Sequence, residues 1–561
     1  MSENKKIKLV LCWHMHQPEY RDLQTGEFKL PWTYLHVIKD YVDMVAHLEE
    51  EPNAKAVINF APILLEQIED YAEQLNNYSH DKAPIKDSLL AALVSPDVPE
   101  DVEQRLELIG YCLRANREQQ IERYPAFSKL AKIADWVQEN GDAAKYLNDQ
   151  YMVDILVWYH LAWMGETVKL TDARIQRLIV KGSNYTLYER MEIVDVISEL
   201  LSKVLLRYKV LAQQGRIEIS VTPYAHPIVP LLLDLNSTYE AMPDAPMPDL
   251  KSYPGGEERI KWHIKKGLEI FEEVFDFTPQ GCWPSEGAVS AATLKLLAES
   301  GFSWAATGGQ VLRNSLNISG TPDTSIHHPF KLQDIELPCF FRDDGLSDLI
   351  GFKYSTWQAN DAIGELIHHI ETIAASESSD SVVSIIMDGE NAWDHYRANG
   401  YHFLSGLYKR LAEHEHIELT TFSECLAQKV EVKELPQLMA GSWVYGTFST
   451  WIGDRDKNRG WDMLGEVKKC FDLVMASGRL TAEEVTAAEI QLAVCEGSDW
   501  FWWFGDYNAE QAVSSFEKQY RLNLANLYRT LGEAIPTYLS LSFTQGSGAP
   551  AMGGTMRKGT D

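Results

Sequence analysis

The chain has 561 residues, 45% of them apolar, and sets 51 Lys+Arg against 81 Asp+Glu for a formal net charge of −30. That composition supports a large core and excludes a disordered chain. The acidic balance excludes nucleic acid and anionic membranes as partners, since phosphate binding relies on clustered Lys and Arg; it suits a neutral or cationic small partner.

In chain order, short apolar runs alternate with helical patterns. The first, "IKLVLCW" (7–13), leads into "HMHQP" (14–18). It is followed by "KAVINFAP" (55–62), "RIEISVT" (216–222), "PQGCWP" (279–284), "FSWAAT" (302–307) and "VVSIIMDG" (382–389). Nearly continuous apolar runs are how strands of a parallel sheet buried on both faces read. Helical patterns lie between them, such as 288–300, closed by Gly301. The alternation predicts an α/β architecture, and the number of units points towards a barrel. Two segments break it: a helical insertion over about 64–212 and a second helical region from about 460 to 541. Residues 544–561 are Gly-rich, polar and aperiodic, and predict a disordered tail.

The opening "MSENKKIKLV" lacks the apolar region and cleavage site of a signal peptide, and no stretch approaches the roughly 20 apolar residues of a membrane span. Seven scattered cysteines with no CxxC pair predict reduced thiols rather than disulfides or a zinc cage. The expected location is therefore the cytoplasm.

In parallel α/β folds, chemistry gathers at the carboxyl ends of the strands. His14 and His16 follow the first run, and alternate residues of an extended chain project the same way. Tyr224 and His226 follow the third, Glu286 the fourth, and Asp388 and Glu390 the last. Two carboxylates from different strands, with histidines and tryptophans around them, suit glycoside hydrolysis, where one attacks the sugar carbon and the other protonates the leaving oxygen. Trp283, Trp393, Trp443, Trp451 and "EGSDWFWWFGD" (496–506) lie in polar, Gly-containing loops. Indole rings stack on the C–H faces of sugars, and their N–H groups bond hydroxyls. The pairs His327-His328 and His368-His369 are expected at the surface. No P-loop, GxSxG or strand-linked GxGxxG is present.

Taken in order, "HMHQP", "GRIEISVTPYAHPI" (215–228), "CWPSEGAVS" (282–290), "MDGENAWDHY" (387–396) and "EGSDWFWWFG" (496–505) resemble the five sequence regions of glycoside hydrolase family 57, most closely its amylopullulanase and α-amylase branch. The resemblance implies a distorted (β/α)7 barrel over 1–430, including the insertion, a mainly helical domain over 431–543 that completes the cleft, and the tail. It also implies retaining action on α-1,4 and sometimes α-1,6 linkages of starch, glycogen or maltodextrins, without cofactor or metal. Glu286 matches the nucleophile and Asp388 the general acid/base; His14, His16 and His226 match sugar-binding residues, while Trp283, Trp393, Asp499 and Trp503 fall in the matching motifs as cleft residues. Asp388 must start protonated, and a neighbouring ionised Glu286 would raise its pKa. Retention requires the two carboxyls about 5–5.5 Å apart.

Three other readings stand beside this one. The covalent intermediate can be captured by a sugar hydroxyl, giving a 4-α-glucanotransferase or branching-type transglycosylase. His14, His16 and His226 could form a three-histidine metal site of a metal-dependent carbohydrate-active enzyme, although no Asp follows the first strand. A non-catalytic glucan-binding protein is the third; both intact carboxylates oppose it. Oligomeric state is not legible.

Overall fold

The computed structural model describes residues 6–378 and 380–547. Twelve strands are present among the described residues: β1 (Ile7–Met15), β2 (Arg21–Asp22), β3 (Glu27–Phe28), β4 (Ala56–Phe60), β5 (Ile217–Val221), β6 (Gly281–Cys282), β7 (Trp304–Thr307), β8 (Phe330–Leu332), β9 (Cys339–Phe341), β10 (Val382–Asp388), β11 (Ile417–Leu419) and β12 (Lys433–Leu435). Parallel pairing runs β10-β1-β4-β5-β6-β7-β9, and a parallel bridge from Arg342, just past β9, to Ser384 of β10 joins the two ends. The result is a distorted (β/α)7 barrel. β11 lies beside the amino-terminal half of β1, where β4 does not reach. β8 runs antiparallel to β9 and carries β12.

All six sequence-predicted strands exist, although 279–284 shrinks to Gly281–Cys282. The strands that sequence reading missed have two residues (β2, β3) or three (β8, β9, β11, β12), too few to show a period.

Strand alternation divides the core in two. Along β1, Leu9, Leu11, Trp13 and Met15 face the helical layer, whereas Val10 and Cys12 face inward. The interior is filled by Val10, Cys12, Val57, Trp283, Trp304 and Phe340, with Phe422 among them. Continuing the inward rows upward places His14 on β1, Asn59 on β4 and Asp388 on β10. The barrel is therefore apolar below and polar at its carboxyl rim.

Between β4 and β5 every element is helical, from Pro62 to Gln213, as expected for the insertion. Its last helix, Leu187–Gln213, starts at a capping box of Thr186 and Glu189. After β12 come the helices Arg455–Ser477, Ala482–Cys495, Asp499–Trp503 and Glu510–Thr530.

Two expectations need correction. Thr544 is buried and accepts a hydrogen bond from the Gly505 N–H (3.1 Å), and the Ser547 N–H donates to the Asp506 carbonyl (2.9 Å). The expected tail therefore begins packed; 548–561 lies outside the described residues. His328 is buried rather than superficial, and His327 bonds Asp343 (3.0 Å), because Asp343 and Glu377 supply acceptors that local spacing does not reveal. All seven cysteines are free thiols. Among the described residues no helix is long and apolar enough to cross a membrane.

Candidate active site

Glu286 sits in a single turn, Ser285–Gly287, directly after β6. Its backbone is left-handed (φ 56°), a strained state for a residue with a Cβ. Gly287 is also left-handed (φ 57°), and a Cβ there would lie 2.7 Å from the Trp283 ring. The loop carrying Trp443 holds the turn: the Trp443 N–H donates to the Glu286 carbonyl (3.1 Å), and the indole N–H donates to its carboxylate (2.9 Å). Asp388 ends β10, in register with His14, and accepts a hydrogen bond from Asn391 Nδ2 (2.8 Å).

Both carboxyls open onto a cavity of about 1160 Å³ whose walls include His14, His16, Trp443 and Asp499. That exceeds the roughly 300–1,000 Å³ of ordinary small-molecule pockets. Its lining also includes Trp32, ahead of β4, Arg114, Asn116 and Trp163 of the helical insertion, and Trp502 and Trp503 of the carboxyl-terminal helices.

The three histidines form a compact group. His14 Nδ1 lies 2.7 Å from the Asn59 amide, and its Nε2 lies 3.1 Å from His226 Nε2. His226 Nδ1 lies 2.8 Å from Ser498 Oγ and 4.0 Å from Glu286 Oε1. His16 Nε2 bonds Asp499 (2.8 Å). Ser498 and Asp499 follow Glu496, which is buried and clamped by Arg259 (2.9 Å), His263 (2.8 Å) and Tyr253 (2.5 Å). That clamp fixes the carboxyl-terminal region against the barrel.

By distance, His16, His226 and Asp499 could gather round an ion, their ligand atoms lying within 4.8 Å of one another. The ring geometry opposes it. His16 and His226 stack with centroids 3.8 Å apart and planes 14° from parallel. An imidazole lone pair lies in its ring plane, so two stacked rings cannot converge on one cation at about 2.0–2.1 Å. The residues do not fit a zinc centre in this arrangement.

Burial pushes the Glu286 carboxyl up to about 8, reinforced by Asp388 and opposed by the Trp443 N–H. Burial also raises Asp388, against Asn391, His16 and Arg342, which favour its charge. Both carboxyls are thus raised chiefly by burial; the charge of Asp388 adds to the rise at Glu286, while Asn391, His16 and Arg342 work against it at Asp388. Glu390 is also buried and raised well above the ordinary range, mainly by burial. It accepts a hydrogen bond from Gln17 Nε2 (3.2 Å), and Tyr20 in turn donates to Gln17 (2.9 Å).

Of the residues singled out from sequence, Glu286, Asp388, His14, His16, Asp499 and Trp503 meet at the cavity. Trp283, Trp393 and His226 do not line it, which corrects the expected set. Trp283 is fully buried in the barrel interior, where Trp443 stands edge-on to it (5.2 Å). Trp393 packs outside β1 against Trp13 and donates to the Gly389 carbonyl (2.9 Å). His226 is buried behind His14 and His16. Tyr224 is also buried, bonded to Glu66 (2.6 Å). Sequence reasoning missed Asn59, Arg342, Trp32, Trp163 and Ser498. Asn59 left a signal: it is a polar residue near the carboxyl end of an apolar run.

A parallel β/α barrel with two carboxyls in a cavity at its carboxyl rim has the layout of a barrel enzyme's active site. The family model for glycosyl hydrolase family 57 matches residues 10–439, and the chain belongs to that family. In three dimensions it is similar to a family 57 branching enzyme from Thermococcus kodakaraensis, with TM-score 0.56, 14% identity and coverage of 96% of this chain and 92% of that one. A family 57 branching enzyme from Pyrococcus horikoshii gives TM-score 0.56, 15% identity and 98% of each chain. The α-amylase AmyC from Thermotoga maritima gives TM-score 0.55, 14% identity and 94% of each. No curated protein matches the sequence.

Proposed function

We propose that the protein is a retaining glycosidase acting on α-glucans, with Glu286 as nucleophile and Asp388 as general acid/base. The observation carrying this reading is that two half-buried carboxyls from different strands open onto one large, tryptophan-lined cavity in a chain of this family. Such a cavity accommodates a chain of sugars better than a single small molecule, and stacked indoles suit pyranose faces.

In the first step the Glu286 carboxylate attacks the anomeric carbon while Asp388 gives its proton to the departing glycosidic oxygen, leaving a β-linked glycosyl ester. In the second, Asp388 takes a proton from water, the oxygen attacks the same carbon, and Glu286 leaves with its electron pair. Two inversions restore the α configuration. The pair therefore works with one shared proton, which must sit on Asp388 when attack begins. The left-handed turn at Glu286 and the two bonds from Trp443 hold the nucleophile while its charge is consumed.

The test is product analysis on maltoheptaose, pullulan and glycogen side by side. Shorter oligosaccharides with new reducing ends are the expected result. Longer products would identify transfer in place of hydrolysis, and no turnover by well-folded protein would overturn the reading.

A further inference from the structure

We propose that Asn59 and Thr222 fix the polarity of a neutral His14–His226 relay so that its N–H end, His226 Nδ1–H, faces Ser498 and Glu286. Asn59 and Thr222 are thus positioning residues, acting on the nucleophile through two histidines.

The inference starts from counting hydrogens. The two ends of a carboxamide have the same size, so their partners decide which is oxygen and which is nitrogen. One end of the Asn59 amide lies 2.8 Å from Thr222 Oγ1 and 2.7 Å from His14 Nδ1. The other lies 3.0 Å from Ser220 Oγ. Thr222 Oγ1 is also 2.9 Å from the Trp283 carbonyl oxygen, which can only accept. A hydroxyl has one hydrogen. If the amide oxygen faced Thr222, with the Thr222 hydrogen on the Trp283 carbonyl, two oxygens would stand 2.8 Å apart with no hydrogen between them, a repulsive contact.

With the amide nitrogen facing Thr222 and His14, all four contacts pair. Thr222 donates to the Trp283 carbonyl and accepts from the amide. The second amide hydrogen goes to His14 Nδ1, and Ser220 donates to the amide oxygen. His14 must then be protonated on Nε2, from which it donates to His226 Nε2, 3.1 Å away. His226 must carry its hydrogen on Nδ1, directed at Ser498 Oγ, 2.8 Å away, with Glu286 Oε1 at 4.0 Å. Burial keeps both rings neutral, with His14 lowered to about 3 and His226 well below its ordinary value.

The consequence for chemistry rests on the reading of Glu286 as nucleophile. Asp388 and Asp499 both disfavour its ionised form, and the Trp443 indole N–H favours it. An N–H dipole from His226 adds to the second side, and a lone pair at that position would add to the first.

The test is a long-range ¹H–¹⁵N correlation spectrum of the full-length protein labelled with ¹⁵N-histidine. The expected spectrum has His14 protonated on Nε2 and His226 on Nδ1. Hydrogens on His14 Nδ1 and His226 Nε2, or a doubly protonated ring in either residue at neutral pH, would overturn the proposal. Asn59→Asp, which offers only acceptors, should reverse both tautomers and move the acidic limb of kcat/KM to higher pH. Its added charge pushes the same way, so the neutral Thr222→Val is paired with it: mixed tautomers and a smaller shift in the same direction are expected. Altered tautomers with an unmoved limb in both variants would overturn the link to Glu286. Absence of turnover on every α-glucan would count against the functional reading instead, since the spectrum needs no substrate.

Discussion

Trp443 holds Glu286 twice, through its indole N–H on the carboxylate (2.9 Å) and its backbone N–H on the carbonyl oxygen (3.1 Å). The indole bond favours the ionised carboxylate, in a pocket where burial and Asp388 favour the neutral one. Replacing Trp443 with Phe keeps most of the ring and removes the donor. The Glu286 pKa should rise further, so the acidic limb of kcat/KM should move to higher pH. A pH–rate profile with an unshifted acidic limb would refute this.

Glu286→Ala should abolish turnover, and azide in the empty space should restore it on α-glucosyl fluoride, yielding the β-glucosyl azide. Asp388→Asn should lower kcat by about 10²–10⁴, the usual range for general acid–base catalysis. The loss should be smaller for substrates whose leaving group needs no proton. Steady-state rates on the fluoride and on maltoheptaose separate the two roles.

Because the stacked His16 and His226 rings cannot share an ion, prolonged dialysis against a chelator should leave kcat and the unfolding temperature unchanged. Loss of activity restored by added zinc would show that the rings reorganise around a metal.

Glu496 is the anchor of the loop that carries Ser498 and Asp499. Burial alone would raise its pKa, but Arg259 and His263 overcome it and hold the carboxyl at about 2. A carboxyl depressed in the folded state stabilises above its unfolded value, about 4.3, and that contribution fades as pH falls towards 2; it amounts to about 3 kcal/mol. Glu496→Gln leaves the Arg259 guanidinium buried without its partner, so stability should fall by about 3–5 kcal/mol at neutral pH. The acid-dependent part of the denaturation curve should flatten between pH 4 and 2. Denaturant titrations across that range check both.

Tryptophans on and off the cavity wall should behave differently. Trp32 lines the cavity half-buried, so Trp32→Ala should raise KM for long maltodextrins about 3- to 10-fold with little change in stability. Trp393 is buried and bonded to Gly389, one residue from Asp388; Trp393→Ala should cost about 3–5 kcal/mol of stability. Thermal unfolding alongside KM measurements distinguishes the two outcomes.

Six strands are legible in the sequence, because buried parallel strands write themselves as apolar runs, and so is the rim where chemistry lies, because polar residues follow those runs; the strands of two or three residues are not. His14, Glu286 and Asp388 are legible in that way. Proximity in the motifs could not say whether Trp283 or Trp393 faces sugar or core, since that depends on which side of the barrel wall each ring falls. The tertiary structure decided those rings. It also brought Ser498 and Asp499 from 272 and 483 residues away to His226 and His16, and it set the burial that raises both carboxyls of the pair. Local residue order encodes elements and their ends; the meeting of side chains across a closed barrel is a property of packing.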